Sequence, residues 1–197
     1  MPTGVRLHDA RRQLFEAAER VLLRDGPSAL TSRSVTAEAG VAKGVLHRHF
    51  VDFDAFLAEL VFDRVDQIGR QATALQDAAG TGRVVDNLVG ALSDLFGSVA
   101  LEMIGLLISR QVLLSRLRQL GASRLPVIWE GTTMIASYLE AERDLGRVAA
   151  HADVAMLGPA LIGAGHMAFA GRRGIPPPPG EVTRVVKTVI DAVVQPA

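Results

Sequence analysis

Residues 31–50, TSRSVTAEAGVAKGVLHRHF, leave this chain few ways to fold. The stretch reads as two short helices hinged on one glycine. The first predicted helix runs from residue 32 to 39, with the Thr31 hydroxyl as N-cap and Val35 and Ala39 inward at i and i+4. Gly40 ends it, because glycine enters the left-handed conformation of a helix stop without a Cβ clash. The second predicted helix spans 43–49. It turns Val41, Val45 and Leu46 inward and leaves Lys43, Gly44, His47, Arg48 and His49 outside. This is the layout of a helix-turn-helix, whose second helix can lie in the major groove of DNA. Lys43 and Arg48 bring charge for phosphates or guanine edges, and Gly44 lets the backbone come close. A helical hairpin with an ordinary solvated basic face would show the same pattern.

The flanking sequence extends the helical reading. A first helix is expected from about residue 5 or 7 to 24, with Leu14, Ala18, Val21 and Leu22 on one stripe and Asp25-Gly26-Pro27 as its stop. Arg6, Arg11 and Arg12 at its start serve either phosphate contact or solubility. Asp52 is a natural N-cap for a helix reaching residue 79, with a stripe of Phe56, Leu60, Val61, Val65 and Ile68. Beyond Gly82 every segment keeps a helical period, with no strand alternation and no Asn-Gly hairpin. Further helices are expected over 84–96, 101–119, 123–145 with Ser123 as cap, 153–170 and 181–194, about nine in all. The helix at 153–170 carries Ala160, Ala164 and Ala168 at close-approach spacing, and Pro159 is expected to kink or restart it. GIPPPPG is a stiff spacer. The last helix has Val182, Val185, Val186, Val189, Ile190, Val193 and Val194 on one face. So complete an apolar face needs cover, from a second chain in a four-helix contact or from its own chain.

Bulk properties narrow the choices. Hydrophobic residues make up 49% of the chain and aromatics 5%, which favours aliphatic helix packing over a β-sandwich. With no cysteine there is neither a disulfide framework nor a Cys-based metal site, and an intracellular home is expected. The zero net charge is uneven: residues 1–50 hold eight Lys/Arg against five Asp/Glu (+3), leaving 13 against 16 (−3) for the rest. A basic head on an acidic body fits contact with nucleic acid. The amino-terminal MPTGVRLHDARR lacks the apolar core of a signal peptide. The apolar run at 154–170 is interrupted by Pro159 and three glycines, so a buried helix is expected and no membrane partner.

Residues 31–57 resemble the TetR family of transcriptional regulators, whose pattern is roughly T-x-x-x-I-A-x-x-A-G-V-S-x-G-T-L-Y-x-H-F-x-S-K-E-x-L. Thr31, Ala39, Gly40, Val41, Gly44, Leu46, His49, Phe50 and Asp54 fall in register with it. Val35 and Phe56 replace other apolar residues, and four departures bear on DNA contact. Thr36 stands where alanine is usual. Ala42 replaces the Ser or Thr that would cap the recognition helix, at a cost of roughly 1 kcal/mol of helix stability. His47 replaces a tyrosine, which makes a phosphate hydrogen bond partly pH-dependent. Phe53 takes a lysine position.

The resemblance implies an all-α protein: a three-helix DNA-binding domain at 1–50 joined to a helical ligand-binding and dimerisation bundle at 51–197. It implies a cytoplasmic repressor that binds double-stranded DNA as a homodimer, on a near-palindromic operator, and is released by a small, largely apolar effector. Thr31, Arg33, Ala42, Lys43, Gly44, His47, Arg48 and His49 are its expected DNA-facing residues. The helices at 153–170 and 181–194 would form the dimer bundle. Asn87, Met103, Leu107, Trp129, Met134 and His166 are candidates for the effector pocket, although Met and Trp on apolar helices are more often core. No HExxH, GxSxG or phosphate-binding loop is present, and no enzyme activity, cofactor or metal is expected. A helical small-molecule or lipid-binding protein without DNA binding is the alternative.

Overall fold

The computed structural model describes residues 7–97, 99–122, 125–172 and 175–195, with side chains from residue 10 onward. Among the described residues ten α-helices and one 3-10 turn (Pro27–Ala29) form the regular structure: α1 (Leu7–Asp25), α2 (Ser32–Glu38), α3 (Gly44–His49), α4 (Phe53–Asp77), α5 (Val84–Phe96), α6 (Ala100–Ser109), α7 (Gln111–Gln119), α8 (Pro126–Asp144), α9 (Val154–Phe169) and α10 (Glu181–Ile190). No strand forms among the described residues; a single antiparallel bridge joins Val148 and Val194. The chain is all-α, as its periodicity predicts. It divides into two compact units, residues 1–63 with 102–123, and residues 64–101 with 124–197.

In the first unit α1 packs on α2 and α3. Its core is the stripe Leu14, Ala18, Val21 and Leu22 against Leu30, Val35 and Leu46, all fully buried. Four phenylalanines close one side. Phe50 meets Phe56 edge-on at 5.0 Å, Phe53 stacks on Phe56 at 5.6 Å, and Phe15 lies 5.9 Å from Phe50. Such offset and edge contacts add to area burial.

One helix more is present than the sequence suggests. The run expected as a single helix over 101–119 breaks at Arg110, which has φ −120° and ψ 90°. Its guanidinium donates to Leu30 O at 2.9 Å, stands 3.7 Å from Asp54 and lies over the Phe53 ring at 5.5 Å. These partners hold the interruption in place, and apolar periodicity cannot see them. The cap expected at Ser123 lies outside the described residues; α8 starts with Pro126 in its first turn, where the missing N–H costs nothing.

The second unit is built on close helix approaches at glycine. A Cβ on Gly158 of α9 would stand 3.0 Å from the carbonyl oxygen of Thr132 in α8, and one on Gly165 would stand 2.9 Å from the Phe96 ring. Of the three alanines expected to serve close approach, Ala168 is buried, Ala164 half-buried and Ala160 exposed. Pro159 sits on the exposed side inside one unbroken helix, so it neither ends nor restarts α9.

The apolar face of α10 is covered by its own chain: Val182, Val186 and Ile190 are buried, with α9 and α5 as packing partners. The helix also stops at Ile190, four residues short of the expected end. The following backbone pairs with residues 147–149 instead, through Ala149 N–H to Val193 O at 2.7 Å and Gln195 N–H to Arg147 O at 2.9 Å. Two successive β-branched residues, Val193 and Val194, suit that extended path. No single helix among the described residues is long and apolar enough to cross a membrane.

Candidate nucleic-acid interface

Local chemistry fixes the first-unit hinge. Thr31 Oγ1 accepts the Ser34 N–H at 3.1 Å, and Ser34 Oγ accepts the Thr31 N–H at 2.9 Å. This reciprocal capping box starts α2, with serine in the place more often held by Glu or Gln. At the other end Gly40 has φ +66°. Its N–H donates to Ala37 O at 3.1 Å and the Val41 N–H donates to Thr36 O at 3.0 Å. That paired closure is a Schellman stop and needs a left-handed residue at its centre. Thr36 is buried, and its hydroxyl donates back to Ser32 O at 2.8 Å, so the polar substitution in the packed turn is satisfied.

Helix α3 follows with Lys43, not Ala42, in the N-cap position, and without a side-chain cap. It is held from behind by buried Leu46, by Arg11 donating to His49 O at 3.3 Å, and by the Arg11 guanidinium 4.5 Å over the Phe50 ring. Arg11 also pairs with Glu59. Arg12 pairs with Glu16 at 2.8 Å. Of the amino-terminal arginines read as phosphate ligands or solubilising groups, these two are therefore engaged within the unit, and Arg6 lies outside the described residues. Arg20 and Arg24 each reach Glu38 at 2.8 Å and tie α2 to α1. The two guanidiniums hold the Glu38 carboxyl below its ordinary pKa.

The outward surface is different. Thr31, Arg33, Ala42, Lys43, Gly44, His47 and Arg48 are exposed, and His49 is half-buried with its ring edge-on to Phe50 at 6.4 Å. Among the described residues Arg33, Lys43 and Arg48 enter no ion pair, in contrast to the arginines behind them. The hinge thus presents three solvated cations and two imidazoles around a helix of six residues whose start has no Cβ at Gly44. Such a surface can meet phosphate oxygens electrostatically and base edges through hydrogen bonds.

Sequence reasoning does not reach the bracing of α4. The Asp52 side chain accepts the Ala55 N–H at 2.6 Å, as expected of a cap, and also the Arg116 guanidinium of α7 at 2.5 Å. Arg116 chiefly, then the Ala55 N–H, holds the Asp52 carboxyl below its ordinary pKa. Phe53, in the lysine position, is half-buried under Arg110. The only hint in the sequence is basic residues on α7, with nothing to pair them to.

The six pocket candidates divide between the two units. Met103 and Leu107 are fully buried in the first unit. In the second, Met134 is buried and Trp129 is 42% exposed. His166 lies edge-on to Phe96 at 6.3 Å. Asn87 donates to Tyr138 Oη at 2.9 Å and to Thr81 O at 3.0 Å. Behind it, fully buried Glu142 accepts the Tyr138 hydroxyl at 2.6 Å and stands 3.4 Å from Arg147. Burial first, and then Glu142, raises the Tyr138 pKa.

Residues 14–60 match the family model described as bacterial regulatory proteins, tetR family. No curated protein sequence matches the chain. Solved structures share the fold over nearly the whole length. The reduced form of NemR from E. coli is 16% identical, with 96% of this chain and 100% of that one covered and a TM-score of 0.72. A TetR transcription regulator from Haloarcula marismortui is 16% identical over 96% of this chain and 100% of that one, with a TM-score of 0.64. The Bacillus subtilis regulator FadR, solved in complex with stearoyl-CoA, is 16% identical over 93% and 97%, with a TM-score of 0.64.

Proposed function

We propose that this chain, whose residues 14–60 match the tetR family model and whose fold is that of such regulators, is a ligand-responsive transcriptional repressor of that family. The observation that carries this reading is the unpaired basic surface of Arg33, Lys43 and Arg48 on a hinge capped at both ends. In this proposal residues 1–50 form the DNA-binding domain and residues 51–197 the ligand-binding and dimerisation domain. Thr31, Arg33, Ala42, Lys43, Gly44, His47, Arg48 and His49 face double-stranded DNA in the cytoplasm.

The protein acts as a homodimer on a near-palindromic operator. The helices at 153–170 and 181–194 supply the dimer bundle. Since Val182, Val186 and Ile190 are covered within the chain, the larger share falls to the outward side of α9, where Met156 is 65% and Met167 72% exposed. A small, largely apolar effector releases the operator by binding better to the arrangement whose two heads no longer match successive major grooves. The FadR complex with stearoyl-CoA supports an effector with a long apolar part.

The test is a mobility shift of DNA flanking the protein's own gene, repeated with competitor DNA and in rising salt. Retardation that is sequence-selective, salt-sensitive and weakened by Lys43→Ala and Arg48→Ala is the expected result. Binding indifferent to sequence, or unaffected by both substitutions, would overturn the reading.

A further inference from the structure

The second unit carries a cavity of about 340 Å³ that none of the six pocket candidates lines. It opens where the Gly82-Arg83 turn enters α5, and Gly146-Arg147 and the end of α10 form its other walls. Three cations line it, Arg83, Arg147 and Lys187, against one carboxylate, Asp191. The cations come from three separate segments, so the cluster is a product of folding and no basic run in the sequence announces it.

Neighbouring acids reduce this charge unequally. Arg83 is 3.7 Å from Asp86, but both are largely exposed and such pairs are weak. Arg147 is committed inward, donating to Gly82 O at 2.5 Å and standing 3.4 Å from buried Glu142, so its position is fixed while its charge is partly answered. Lys187 is exposed and enters no ion pair among the described residues. Helix α5 also starts at this cavity without a side-chain cap, and its first N–H groups add positive potential to a site already made by side chains. Val84, Val85 and Val194 give it an apolar side.

We propose that this cavity binds the phosphate group of a small phosphate monoester, with Lys187 and Arg83 as the adjustable ligands and Arg147 as the fixed one. Phosphate presents more acceptor oxygens than a carboxylate and can engage cations from three segments at once, and the valines accept a short aliphatic remainder. The site stands apart from DNA binding and does not depend on that reading.

Calorimetric titration of the full-length protein with inorganic phosphate, methyl phosphate and acetate, at matched ionic strength, tests it. Phosphate and methyl phosphate are expected to bind once per chain, and acetate more weakly. Lys187→Gln and Arg83→Gln should each weaken binding by about fivefold, the effect of roughly one exposed charge pair. Asp191→Asn should tighten it, a gain that a damaged fold would not produce. These positions are exposed; Arg147 is left intact because its loss would strand buried Glu142. Absence of phosphate binding at millimolar concentration, affinities indifferent to all three substitutions, or acetate binding as tightly as phosphate would each overturn the proposal.

Discussion

Glu142 has no exposed surface, and its Oε2 finds no hydrogen bond while Oε1 takes the Tyr138 hydroxyl. Removing that hydroxyl in Tyr138→Phe leaves both carboxylate oxygens without a hydrogen-bond donor, so the variant should lose about 1–3 kcal/mol in denaturant unfolding. Asp52 bears on the response to acid. Its folded pKa lies below the ordinary 3.8, because Arg116 and the Ala55 N–H favour the charged form. A carboxyl depressed in this way stabilises the fold above about pH 4 and loses that contribution as pH falls through the folded value. Arg116→Met should therefore be less stable than the parent at neutral pH, with the two stability curves converging in acid. Parallel curves down to pH 2.5, followed by chemical denaturation, would show that Arg116 does not act through this carboxylate.

Among the elements, α2, its stop and α3 were readable because their causes are short-range: a threonine cap, one glycine and an i/i+4 pair. The inside of α9 was less readable. Three alanines at regular spacing suggested the close face, yet Gly158 and Gly165 make the tight approaches and Ala160 faces outward. Spacing shows that small residues share a stripe, but which stripe turns inward depends on the helices they meet. Gly158→Ala should cost about 1–3 kcal/mol, since the added carbon meets a backbone carbonyl that cannot swing aside. Gly90→Ala in α5 has open space around it and should stabilise by about 0.5–1 kcal/mol through helix propensity. Thermal unfolding of the two variants side by side separates packing from propensity. The break at Arg110 and the partners of α10 were beyond sequence reasoning for the same cause: each depends on residues distant in the chain, Leu30 and Asp54 for one, α5 and α9 for the other.

For the whole molecule, the dimer proposal makes Met156 and Met167 the residues to alter. Replacing both with aspartate should shift the sedimenting species from dimer to monomer and abolish operator binding while helix content is retained. A protein that sediments as a monomer before any substitution would remove the basis for paired half-sites. Within a dimer, each head's phosphate contacts contribute separately. Lys43→Ala should then lower the salt slope of binding by about one unit for each copy of the lysine that touches DNA.

The second segment of the first unit, residues 102–123, returns from far along the chain to supply Arg110 and Arg116. A unit assembled in this way cannot be excised as a simple leading fragment. Cutting after residue 63 would take away the guanidinium that satisfies Leu30 and the one that steadies Asp52. Grafting this head onto another body would require carrying α6 and α7 along with it.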